Sequence, residues 1–214
     1  GHSVVTVTPG AGGSTTMTFA SLSRTAGASV LFRGTNLGAT PGSNISNIMF
    51  TATPTLTGSA GAANSATISV IKGAFGDNST IGNGTDMVTY NIGNTNGLRL
   101  LNSVGFAGEY SSTLTTNTNV KLAANTAAST VSINSLVLNG FDITNPGGAA
   151  TLTVASASHS GNILMDSANS IAGSNTTLGI TTFETNIHTS SNSTISAVIG
   201  TSTTGSLTLS GIGN

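Results

Sequence analysis

SNSTISAVIGTSTTGSLTLSGIGN, residues 191–214, is the stretch from which the rest of the chain can be read. Ile195, Ala197 and Ile199 alternate with serine, valine and glycine, the period of two that marks a half-buried strand. A small polar turn, TSTTGS, follows. Leu207 and Leu209 then alternate with Thr208 and Ser210 until Gly211 closes the run. A strand, a polar turn, a second strand and a glycine cannot bury one apolar face alone. Stacked on similar units they can, which is the physical logic of a solenoid. Ile195, Ile199, Leu207 and Leu209 are therefore expected to face inward.

Moving outward, the same rhythm recurs. Val120 and Leu122, Val131 and Ile133, Leu136 and Leu138, Phe141 and Ile143, Leu152 and Val154, and Ile163 and Met165 form successive apolar pairs. Parity changes across Asn134–Ser135, which predicts a corner or bulge there. Strands of about five residues joined by turns of similar length suit a three-faced coil with roughly 20 residues per turn. A β-sandwich has similar strand spacing and is the second all-β reading. The small-residue corners favour the coil.

Nearer the N-terminus, Val5 and Val7 alternate until Pro9, and Met17 with Phe19 and Val30 with Phe32 follow. Pro41 and Pro54 bracket Ile48 and Phe50, and Gly58–Ala66 reads as a small-residue turn. The segment Gly73–Asn96 is dense in glycine and asparagine, with no period before Val88, Tyr90 and Ile92. It is expected to project from the body as a loop.

Only 5% of the residues are charged and the net charge is −1, against about 25% charged in an average soluble protein. Such a surface rests on hydroxyls and amides, and it gives little repulsion between copies. With 37% hydrophobic residues in regular alternation, the chain is not of the disordered class. Serine, threonine, asparagine and glycine are poor helix formers, and no helical stripe is visible. Arg24, Arg33, Lys72, Arg99 and Lys121 form no basic run, so nucleic acid is not an expected partner. Cysteine is absent, which excludes disulfides and thiolate metal sites. No run is long enough to insert this segment in a bilayer. The sequence starts without methionine and stops inside a repeat-like unit, so it is expected to be a processed product or one unit of a larger repeat protein.

The run Ile195–Gly200 followed by Gly205–Gly211, GSLTLSG, resembles the autotransporter-associated β-strand repeat of large secreted bacterial passenger proteins of the planctomycete and verrucomicrobial type. HSVVTVTPG (His2–Gly10), TFASLSRTAGASVLFRGTNLG (Thr18–Gly38), FTATPTL (Phe50–Leu56) and INSLVLNG (Ile133–Gly140) resemble the non-identical rungs that precede that repeat. The family commonly continues into an NTYTGGT-like run, from which this chain departs after Gly211. The resemblance implies an all-β, right-handed parallel β-helix, a single domain over residues 1–214, displayed outside the cell or on its surface.

Candidate sites are few. His2, His159 (in the serine-rich turn SASHSG) and His188 are scattered and read as surface residues, since a metal needs ligands that converge. Asp77, Asn78, Asn83 and Asp86 concentrate oxygen ligands in the expected loop, and calcium is the ion they would suit. The EF-hand spacing fails at Ile81, however, so no cofactor is expected. The acids Asp77, Asp86, Glu109, Asp142, Asp166 and Glu184 are spread along the chain. None sits at the spacing of a two-carboxylate glycosidase or lyase site, so catalysis is not expected. The Asn-x-Ser/Thr triplets at Asn44, Asn78, Asn83, Asn175 and Asn192 match chance in so rich a composition.

Three functions are thus in view. The first is a structural module that stacks end to end into a fibre, stalk or surface layer. The second is an adhesin whose 73–96 loop meets a glycan or a surface. The third is a polysaccharide-active enzyme. For the first, the partner is another copy, or a neighbouring module of a tandem array, head to tail. Val4, Val5 and Val7 of one chain meet Leu207, Leu209 and Gly211 of the next, because neither edge carries the charge or capping that natural edges use.

Overall fold

The computed structural model describes residues 1–91, 93–155, 159–181, 183–201 and 204–212. Ile92, Thr182, residues 156–158 of the SASHSG turn, Ser202 and Thr203 of the TSTTGS turn, and Gly213 and Asn214 lie outside the described residues. The protein is all-β, and among the described residues there is no helix.

In the N-terminal half, β1 (His2–Val7), β3 (Ser29–Gly34) and β7 (Ala74–Asp77) are parallel neighbours in one sheet, extended antiparallel by β8 (Asp86–Tyr90) and β9 (Leu98–Leu100). A second layer pairs β2 (Ser14–Phe19) with β4 (Ile45–Phe50), in parallel. The short β5 (Leu56–Thr57) and β6 (Val70–Ile71) pair antiparallel. Val7, Phe32, Ile48, Phe50 and Tyr90 fill the space between the two layers.

The C-terminal half is built of passes through three parallel sheets. β10 (Asn119–Lys121), β11 (Thr126–Ala127) and β12 (Val131–Ile133) enter the three sheets in turn. β13 (Ser135–Leu138), β14 (Ile143–Thr144) and β15 (Ala150–Val154) return to them in the same order. So do β16 (Gly161–Met165), β17 (Ser170–Ile171) and β18 (Thr176–Ile180), and then β19 (Glu184–Thr189), β20 (Thr194–Ile195) and β21 (Val198–Thr201). β22 (Ser206–Gly211) begins one pass more. The expected change of direction at Asn134 is present, between β12 and β13. The side chain of Asn134 donates to the Asn117 carbonyl at 2.8 Å and accepts from Ser59 at 2.9 Å.

Register puts Val120, Leu136, Ile163, Ile187 and Leu209 in one column. Val131, Leu152, Leu178 and Ile199 form a second, and Ile143, Ile171 and Ile195 a third. The columns converge on one core. Gly161 permits this closeness, since a Cβ there would overlap the Val154 carbonyl. Ile163 is fully buried, whereas Leu209, at the end of its column, is 69% exposed. Ile163→Ala is therefore expected to cost about 2–5 kcal/mol and Leu209→Ala no more than about 0.5. Urea unfolding of the two variants checks the register, and equal costs would refute it.

Three expectations are corrected. The segment Gly73–Asn96 is not a projecting loop. It contains β7 and β8, and among its buried side chains are Phe75, Met87 and Val88. Ile195 to Ile199 is not one strand, because the chain turns between β20 and β21, where the amides of Ser196 and Ala197 both donate to the Ile171 carbonyl. The N-terminal rung-like segments do not precede the three sheets as further passes. They form separate layers against the outer face of the β10–β13–β16–β19–β22 sheet, where Val137 and Leu164 meet Leu31, Phe75 and Met87.

A buried polar ladder lies in that interlayer. Asn119, Ser135, Asn162, Asn186 and Thr208 occupy successive registers of one sheet. Asn119 donates to the Ile68 carbonyl at 2.8 Å. Asn162 donates to the Ile71 carbonyl at 3.0 Å and accepts from the Gly73 amide at 3.1 Å. The ladder thus satisfies backbone groups of the N-terminal half that would otherwise be buried without partners.

Candidate functional site

Each sheet ends in a strand paired on one side only, and five of these strands, β2, β1, β22, β20 and β21, lie at the same end of the molecule. The contacts that place them together are specific. β1 lies against β2, with Val5 and Phe19 packed on a common core. His2 at the start of β1 stands 5.0 Å from His188 of β19, ring to ring, and β19 pairs with β22. Together β20, β21 and β22 terminate the three columns described above.

Among the described residues nothing covers this end. Natural sheet edges are blunted with charge, proline or a covering segment. The five strands read HSVVTV, STTMTF, TI, VIGT and SLTLSG, with no Asp, Glu, Lys, Arg or Pro among them. Leu209, Ile199 and Val4 are 69%, 42% and 46% exposed, although each stands in an inward-facing column. A cavity of about 400 Å³ opens among Met165, Ile187, Ile195 and Leu209. Another of about 310 Å³ opens among Val5, Phe19, Phe32 and Phe50. The opposite end of the three sheets differs. There Ser111 bridges to Val120, and Leu114 packs against the core.

All six residues expected to mediate self-association lie on β1 and β22 and so share this one end. Val7 is buried, Val5 and Leu207 are half-buried, and Val4, Leu209 and Gly211 are exposed. Met17, Ile195 and Ile199 belong to the same end. Sequence reading missed their part in it, because nothing in spacing alone says which strand of a layer ends it.

The other expected site residues serve the packing. Asp77 is buried and accepts the Ser79 amide at 2.8 Å and the Gly84 amide at 2.9 Å, closing the turn between β7 and β8. Asn78 accepts the Leu37 amide at 2.8 Å, and the Asn83 carbonyl accepts from Nε2 of His188 at 2.7 Å. Asp86 pairs with Lys121 at 2.8 Å. Burial raises its carboxyl above the usual range, although Lys121 pulls the other way. His188 is thus not a surface residue. It is 1% exposed, between the layers and stacked on Phe75, and its pKa is lowered to about 4 by burial.

The remaining acids are engaged as well. Glu109 makes a two-pronged pair with Arg99, at 2.6 and 2.7 Å. Glu184 pairs with Arg24 and accepts from Thr208 at 2.7 Å. Burial alone would raise the Glu184 carboxyl, but its hydrogen bonds to Arg24, Thr208 and the Gly27 amide overcome this and hold it at about 2. Asp142 accepts the Ser170 amide at 2.6 Å, and Asp166 accepts from Ser190 at 2.7 Å. Among the described residues no three His, Asp or Glu side chains converge as a metal site would require, and no helix is long and apolar enough to cross a membrane.

No family model, curated protein or solved structure matches the chain.

Proposed function

We propose that the chain is a structural, non-catalytic module: a right-handed parallel β-helix over β10–β22 with the N-terminal layers docked on its flank, exported to the cell surface. In this role the end formed by β1 and β22 joins another copy or a neighbouring module within a fibre, stalk or surface layer. The observation that carries the reading is that end, where five uncharged strand edges and the ends of three apolar columns coincide. The repeated return of the chain to three sheets, every pair from β10 to β22 being parallel, supports the helix over a sandwich of antiparallel strands. The non-catalytic part is supported by the engagement of all six acids in ion pairs or hydrogen bonds.

Negative-stain electron microscopy of the purified protein tests this. Joined particles are expected, and Leu209→Lys should separate them. Single particles at every concentration, together with glycan-array binding that is lost when the 78–85 turn is replaced, would transfer the role to an adhesin. Turnover of a polysaccharide would reject both.

A further inference from the structure

Four ion pairs are found among the described residues, and they are not chemically alike. In Arg24–Glu184 and Arg99–Glu109 the cation is a guanidinium, which stays protonated and has no lone pair to offer a carbonyl carbon. Lys72 comes no closer than 4.0 Å to Glu184, whose carboxylate is already held by Arg24, Thr208 and the Gly27 amide. In the fourth pair an amine touches a carboxyl: Nζ of Lys121 is 2.8 Å from Oδ1 of Asp86. We propose that Lys121 and Asp86 condense into an intramolecular amide, a covalent bond between the two halves of the protein. This goes beyond the assembling role and does not depend on it.

The fold fixes both partners. Asp86 opens β8 in the N-terminal layers, and Lys121 closes β10, the first strand of the three-sheet half. β8 is laddered to β7 and β9, and β10 to β13, so neither backbone is free to carry its side chain away. Two reactants held in this way meet at effective concentrations of roughly 10⁵–10⁸ M, which is what lets an amide form in competition with water. The surroundings add to this. In open water an amine and a carboxyl stay ionised, and neither reacts. Burial disfavours the charged forms, and it raises the Asp86 carboxyl above its usual range even against the pull of Lys121. The side chain of Asp86 is 17% exposed and that of Lys121 31%, so the pair is largely desolvated but water can still leave. Tyr110 completes the site. Its ring centroid lies 5.6 Å from Nζ of Lys121, and its hydroxyl accepts the Met87 amide at 2.9 Å. That hydroxyl is within hydrogen-bonding reach of the Asp86 carboxyl, and burial keeps it protonated. It is therefore placed to donate to a carboxyl oxygen on which negative charge develops.

The step balances without a co-reactant. One proton passes from the Lys121 ammonium to the Asp86 carboxylate, leaving an amine and an acid. The Nζ lone pair attacks Cγ of Asp86, and Tyr110 steadies the tetrahedral centre that forms. A hydroxyl then departs with a proton from Nζ as water. One C–O bond breaks, one C–N bond forms, and nothing is oxidised or reduced. The product ties β8 to β10 in a chain whose lack of cysteine denies it a disulfide.

Intact-mass spectrometry of the whole chain, folded at neutral pH and then denatured, tests the proposal. The expected mass is one water below that of the sequence, and a digest should yield a branched peptide containing both Lys121 and Asp86. Lys121→Arg, which keeps the ion pair, and Asp86→Ala should both show the full sequence mass, with circular dichroism to show that they are folded. Tyr110→Phe, followed by mass after cell-free synthesis, should form the bond roughly tenfold or more slowly than the wild type. The full mass in folded wild-type protein after prolonged incubation would overturn the proposal, and this result needs no variant. A lost water that persists in Lys121→Arg would overturn it too, because an aspartate can also dehydrate onto its own backbone. Equal rates in Tyr110→Phe and the wild type would overturn the part given to Tyr110.

Discussion

Replacing Glu109 with glutamine is expected to remove about 3–5 kcal/mol of folding stability, read from the urea midpoint, because it leaves a buried guanidinium without its counter-charge. Arg99 and Glu109 are both fully buried. The carboxylate also accepts the amides of Asn64 at 3.1 Å and Asn102 at 3.0 Å, so it ties two turns to β9. Burial disfavours the charged carboxylate, yet these donors outweigh it and lower its pKa. The Arg99 guanidinium also lies 3.5 Å from the centroid of the Phe106 ring. Adding Arg99→Met to Glu109→Gln removes the stranded charge and keeps an unbranched side chain against Phe106. The double variant should accordingly be more stable than Glu109→Gln alone. If it is less stable, Arg99 contributes mainly by packing and the pairing argument fails.

Acid should destabilise the protein in two steps. His188 is held neutral in the folded state, with a pKa of about 4 against an ordinary 6.5. The unfolded chain therefore takes up a proton at higher pH than the folded one. The associated stability is fully present above pH 6.5 and is lost as pH falls towards 4, a change of about 3 kcal/mol. Glu184 follows in a lower window. Its pKa falls from 4.5 to about 2 on folding, so its contribution is present above pH 4.5 and disappears as pH drops through 2. His188→Gln should flatten the upper step and leave the lower one. The groups around the ring explain the first shift: Phe75 and Leu164 remove water, and His2 adds repulsion when charged. The Asn83 carbonyl, which favours the protonated ring, offsets them only in part. Urea titrations at pH 7, 4 and 2 would measure both steps, and wild-type stability unchanged between pH 7 and 4 would refute the first.

What was legible in the sequence was local. The alternation of Leu136 with Leu138 and of Ile163 with Met165 announced strands, and the parity change at Asn134 announced a corner, because side-chain period is a property of neighbouring residues. The run Ile195–Ile199 was legible as strand but not as parts of two sheets, since Ile195 and Ile199 keep their alternation across a turn. Most misleading was glycine in Gly73–Asn96. Its density was read as looseness, whereas it permits close packing: a Cβ on Gly76 would overlap Val88, and one on Gly82 would overlap the Asp77 carboxylate. The contacts that build the interlayer, Arg24 with Glu184 and His188 with Asn83, join residues more than a hundred positions apart. No spacing rule reaches that far. The uncovered end was legible only as a lack of charge in two strands, and its five-strand extent depends on how separate layers align.

The polar ladder on the outer face of the three-sheet half has a mechanical consequence. Asn119 and Asn162 each engage their own carbonyl across the interlayer, those of Ile68 and Ile71. If the N-terminal layers slid by one strand spacing, about 4.8 Å, both bonds would break together and the freed groups would remain buried. The apolar contacts beside them, Leu31 and Phe75 against Leu164, would tolerate such a slip far better, because dispersion has no direction. The asparagines therefore act as a detent: the halves adhere through their greasy surfaces, but polar teeth index them to a single position. Melting either half disengages the teeth of the other, so the two are expected to lose their structure as one cooperative unit.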